Sequence, residues 1–111
     1  MSLSNKIDFA VIFSVVNANP NGDPLNGNRP RTIYEGNGEV SDVCIKRKIR
    51  NRLMEAGKAI FVQSDDNKID DHGSLKSRAD SVLSGTKGSD EIAKKACATW
   101  LDVRAWSTFC F

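Results

Sequence analysis

The sequence is poor in the residues that make most catalytic sites legible. It has one histidine, His72, so no Ser/His/Asp or Cys/His arrangement is readable in it. Its three cysteines, Cys44, Cys97 and Cys110, lie far apart and form no C-x-x-C pair. Neither a zinc site nor a disulfide framework is therefore indicated, and a reduced, intracellular setting is the default. The G-x-x-x-x-G-K-[ST] phosphate loop is absent. Aromatic residues are few, and Trp100, Trp106 and Tyr34 read as single packing residues rather than as platforms for bases. Long apolar runs are missing too. The stretch from Ala10 to Val16, flanked by Asp8 and Asn17, is far too short to span a bilayer, so the expectation is a cytoplasmic protein without a membrane partner.

What is present fits one domain of 111 residues, long enough to bury a core without help from metals. A net charge of +2 does not identify a nucleic-acid binder, but the charge is unevenly placed. From Arg29 to Lys58 eight basic residues face four acids, whereas from Ser64 to Asp90 six aspartates outnumber four basic residues. An early basic part is thus followed by an acidic middle.

Ile7, Phe9, Val11, Phe13 and Val15 alternate with Ala10, Ile12 and Val16, predicting a central strand over 7–16 that is apolar on both faces. Residues 17–40, broken by Pro20, Pro24, Pro30 and several glycines, read as a long loop. A helix is expected over 41–57, with Ser41 as N-cap, Gly57 as its stop, and Ile45, Ile49, Leu53 and Ala56 as the buried stripe. Residues 58–89 read as a short strand (58–63) and a short helix from Ser74 to Gly85. Residues 90–111 read as a helix followed by a strand from Leu101 to Phe111. Because that apolar strand is where the sequence stops, the expectation is the N-terminal part of a longer fold.

Two constellations carry the chemistry. Lys46, Arg47 and Lys48 crowd the first half of the 41–57 helix, where the macrodipole disfavours cations, and a phosphate chain would relieve them. The plain alternative is a solvated polar face. The loop Asn19-Pro20-Asn21-Gly22-Asp23-Pro24, continuing to Asn28-Arg29-Pro30-Arg31, offers amides and left-handed turns that approach a nucleotide backbone closely. The RNA-contacting residues are expected to be Asn19, Asn21, Gly22, Arg29 and Arg31 on the loop, and Lys46, Arg47 and Arg50 on the helix. Asp23, Asp70, Asp71 and His72 are the only groups worth weighing for catalysis or metal binding. One short acidic cluster is not a coordination geometry, so no metal is expected.

Taken in order, these two stretches and Ser41-Asp42-Val43-Cys44-Ile45-Lys46-Arg47-Lys48-Ile49-Arg50 closely resemble the start of the Cascade backbone subunit, a CRISPR-associated family that polymerises along guide RNA. Ile60-Phe61-Val62-Gln63-Ser64-Asp65-Asp66 and Trp100-Leu101-Asp102-Val103-Arg104 look like the subtype I-C branch, although Ala105 to Phe109 departs from that family's usual aromatic-Gly pattern. The resemblance implies an α+β fold with an RRM-like (ferredoxin-like) palm and a finger insertion after the first helix. Residues 7–16 would be a palm strand, 41–57 the basic palm helix, 58–89 the insertion, and 90–111 a helix and the next palm strand. It further implies a non-enzymatic subunit without cofactor. Its partners would be CRISPR RNA, neighbouring copies of itself, other Cascade subunits and, through the guide, target DNA. The competing reading is a metal-dependent endoribonuclease of the related type III kind, with Asp23 as its catalytic residue.

Overall fold

Side chains, more than backbone ladders, hold this chain together. The structure is a computed structural model that describes Asn5 and residues 7–106, and it divides into two compact units, Met1–Ser41 and Asp42–Phe111.

In the first unit, strands β1 (Gly22–Asp23) and β2 (Arg29–Pro30) pair antiparallel, Gly22 opposite Pro30 and Asp23 opposite Arg29. A single 3₁₀ turn, Pro24–Asn26, joins them. Proline at the start of the turn supplies a fixed φ, and Gly27 (φ 61°) and Asn28 (φ 57°) take the left-handed conformations that reverse the chain. A second reversal follows, closed by an antiparallel bridge between Thr32 and Gly38.

Residues 7–16, expected to be a strand, form none here. Phe9, Val11, Ile12 and Val16 are mostly exposed, and no β-ladder among the described residues includes the segment. A strand exists only as part of a ladder, and β-branched apolar composition creates no partner by itself.

The second unit is helical: α1 (Asp42–Glu55), α2 (Leu75–Leu83), α3 (Ser89–Thr99) and α4 (Leu101–Trp106). Gly57 at φ 73° ends α1 with paired 6→1 and 5→2 bonds, Lys58 N to Leu53 O at 2.9 Å and Gly57 N to Met54 O at 2.9 Å. Ser74 caps α2 in a capping box with Ser77. Asp90 and Glu91 place negative charge in the first turn of α3. Helix α3 packs against both α2 and α4, and Ile60, Cys97 and Trp100 form the buried apolar centre. The Phe61 and Trp100 rings meet there, 4.7 Å apart at their centroids.

Two expectations change in this unit. Residues 101–106 are a helix rather than a strand, and 107–111 lie outside the described residues. The strand-like alternation was ambiguous over so few positions. Asp102 and Trp106, four apart, share one helical face, and both engage Arg50. In addition, Cys97 is disulfide-bonded. Spacing in sequence did not indicate that bond, because a disulfide depends on Cα separation in the fold.

Candidate nucleic-acid interface

The loop side of the expected interface is a set of amide clamps. Asn19 Nδ2 donates to Asn28 O at 2.8 Å. Asn21 Oδ1 accepts from both Ser41 N and Ser41 Oγ at 2.9 Å, and Asn21 Nδ2 donates to Gly22 O. Asp23 Oδ1 accepts from Leu25 N at 3.0 Å and so caps the 3₁₀ turn. A Cβ at Gly22 would run into the Asn28 side-chain amide, so glycine lets that amide lie across the hairpin as it does. Asn19, Asn21 and Gly22 therefore shape the loop.

The two loop cations differ. Arg31 Nε donates to Glu39 at 2.6 Å, and that bond, followed by the carboxylate's charge, raises the Arg31 pKa further. Arg29 is exposed and has no side-chain partner among the described residues. Tyr34, near the tip of the second reversal, is fully exposed.

Helix α1 presents its faces the other way round from the hydrophobic reading. Ile45 and Ile49 are each 42% exposed, while Arg47, Arg50, Asn51 and Met54, at helical spacing, face the rest of the second unit. Oxygen atoms explain the rotation. Arg47 Nη1 donates to Val62 O at 2.9 Å, and Arg50 Nε to Asp102 Oδ2 at 3.0 Å, with the Arg50 guanidinium 4.7 Å above the Trp106 ring. Two arginines meeting fixed acceptors outweigh two isoleucines left half in water. Lys46 pairs with Asp42 across one turn at 2.9 Å, so the crowded positive charge is relieved partly by the chain's own acid. Lys48 stays exposed without a side-chain partner among the described residues.

What sequence reading missed is the segment that these arginines serve. Residues 59–62 run without secondary structure through the second unit, yet most of their backbone groups are satisfied. Ala59 O accepts from Leu101 N, and Ile60 O from Gln63 Nε2. Phe61 N and Val62 N both donate to Asp102, at 2.7 and 3.1 Å, and Phe61 O accepts from Arg78 Nη1 at 2.8 Å. Arg47 completes the set at Val62 O. Asp102 is 2% exposed and Arg78 5%. The available signal was Asp102 between apolar neighbours, since a buried carboxylate must find donors.

Arg78 also grips Asp70 through two bonds of 2.7 Å. These bonds hold the Asp70 carboxyl at about 2, against burial, which pushes it up. Asp70 is thereby committed to the fold, and among the described residues no three His, Cys, Asp or Glu side chains converge as a metal site would require. Nor is any described helix long and apolar enough to cross a membrane.

Fold and site together define a small α+β chain that carries an amide-clamped loop and a basic helix. A family model described as "CRISPR-associated protein Cas7" matches residues 5–109, and the chain belongs to that family. A curated relative from Haloferax volcanii, named CRISPR-associated protein Cas7, is 31% identical over 93 residues, covering 83% of this chain. The match spans only 26% of that relative's length. No solved structure matches.

Proposed function

We propose that the chain binds CRISPR RNA along its phosphate backbone without cleaving it, as part of the repeating subunit of a type I antiviral surveillance complex of the I-C branch. Membership of the CRISPR-associated protein Cas7 family over residues 5–109 carries this reading. The cations left free of the fold say which groups do the binding. Arg29 and Lys48 are exposed and have no side-chain partner among the described residues, where Lys46 has a surface pair of small worth with Asp42. These three meet phosphates, while Arg31, Arg47 and Arg50 hold the elements that present them. Phosphate contacts fix position and leave bases free to pair with target DNA. Neighbouring copies and other complex subunits complete the assembly.

The non-catalytic form of the proposal is favoured by Asp23, whose carboxylate is spent on capping its own turn. The RRM-like palm belongs to the same proposal. Such a sheet needs strands with apolar faces, which residues 7–16 supply in composition.

Binding of single-stranded RNA at several salt concentrations tests the reading. Replacing Arg29, Lys46 and Lys48 together with alanine lowers affinity equally for unrelated sequences and flattens the salt slope by about 0.7 per lost contact. Unchanged slope and affinity with the fold intact would rule out these contacts. Cleavage of bound RNA in Mg²⁺ that disappears in Asp23→Ala would establish the nuclease instead.

A further inference from the structure

Three features of the second unit converge on one side chain. Asp102 is buried at the start of α4 and accepts from Phe61 N, Val62 N and Arg50 Nε. The Arg50 guanidinium bonds that carboxylate through Nε and lies over the Trp106 ring one turn further along α4. Arg47, three residues before Arg50 on α1, ends on Val62 O, the next polar group of the same segment. Two adjacent turns of α1 are thus pinned to one rigid strip, and rotation about the helix axis is removed.

We propose that Asp102 is a positioning residue for RNA binding: by holding Arg50 inward it sets the rotation of α1, so that Lys48 faces outward and neither Arg47 nor Arg50 touches phosphate. The proposal rests on the RNA-binding reading above. It assigns the two arginines of the Lys46-Arg47-Lys48-Ile49-Arg50 run to orientation and leaves the lysines for contact. A basic run on a helix is usually counted as one electrostatic patch, and here its members divide by depth. Arginine suits the inner positions because its planar fork bonds a carboxylate and stacks on an indole at once, which an ammonium does not. Lysine suits the outer ones, where a flexible point charge follows a mobile phosphate.

Opposite signs separate this from the alternative, in which Arg50 is a phosphate ligand merely parked on Asp102. If Arg50 is a ligand, removing the charge of Asp102 frees it, and Asp102→Asn binds RNA as tightly as the wild type or more tightly. If Asp102 positions the helix, Asp102→Asn weakens binding, by about tenfold. Arg50→Lys provides the second arm. A ligand tolerates that change, because the charge survives. A positioning arginine does not, so Arg50→Lys weakens binding about as much as Asp102→Asn, and the double variant is no worse than either.

Both variants are made in the full chain, with folding followed by circular dichroism. A wild-type readout guards against misfolding: the Arg50 Nε–H resonance, hydrogen-bonded to Asp102, is followed by ¹⁵N NMR during titration with single-stranded RNA. The proposal expects that proton to stay bonded and protected at saturation. Its release on RNA binding, or tighter binding by Asp102→Asn, overturns the proposal while leaving the RNA-binding function standing. Failure of the wild type to bind RNA at all removes the function, and this inference with it.

Discussion

The two units solve the same problem, satisfying an irregular backbone, with opposite chemistry. In Met1–Ser41 neutral amides do the work: Asn19 Nδ2 reaches Asn28 O, and Asn21 Oδ1 takes Ser41 N and Oγ, in exposed or half-buried contacts. In Asp42–Phe111 charged groups do it, with Asp102 and Arg78 buried against residues 59–62. A solvated amide bond contributes little and is cheap to lose, whereas a buried ion that loses its partner is left uncompensated. Stability should therefore be concentrated in the charged strip and spread thinly through the loop.

The largest expected effect is at Asp102. Asp102→Ala strands Arg50 and the amides of Phe61 and Val62 together, and urea denaturation should show a loss of about 3–5 kcal/mol. A loss below 1 kcal/mol would mean that water replaces the carboxylate and that the contrast between the units is false.

The Asp70–Arg78 pair sharpens the contrast through pH. Arg78 binds only the ionised carboxylate, so the folded Asp70 pKa sits at about 2, below its ordinary 3.8. Its contribution is whole above pH about 4 and disappears as pH falls from there through about 2. In Asp70→Asn that acid-dependent part of the unfolding curve should vanish. An unchanged pH profile would place the acid sensitivity in some other carboxylate.

The loop variants should be milder. Gly22→Ala forces a methyl group into the Asn28 side chain and should cost about 1–3 kcal/mol, seen as faster hydrogen exchange at Asn28 and Arg31, whose amides bond across the hairpin. Smallest is Asn21→Ala, about 1 kcal/mol, since Ser41 N and Oγ turn to water when the amide is removed. An Asn21→Ala effect as large as that of Asp102→Ala would erase the distinction between the two units.

The sequence by itself determined the local punctuation. Gly57 stopping α1, Ser74 starting α2, left-handed Asn28, and the basic-then-acidic charge order follow from interactions within a few residues, so composition and spacing suffice to read them. The ordered Asn/Pro/Gly and Lys/Arg stretches were equally legible as a family signature. Tertiary structure alone decided which side of α1 faces inward. Hydrophobic periodicity chose Ile45 and Ile49, but the bonds of Arg47 and Arg50 come from Val62 and Asp102, 15 and 52 residues away, and no window along the chain contains both partners. The same distance hid the role of Asp102. Its burial is tolerable only because Arg50 and the amides of Phe61 and Val62 arrive together, and folding brings them there.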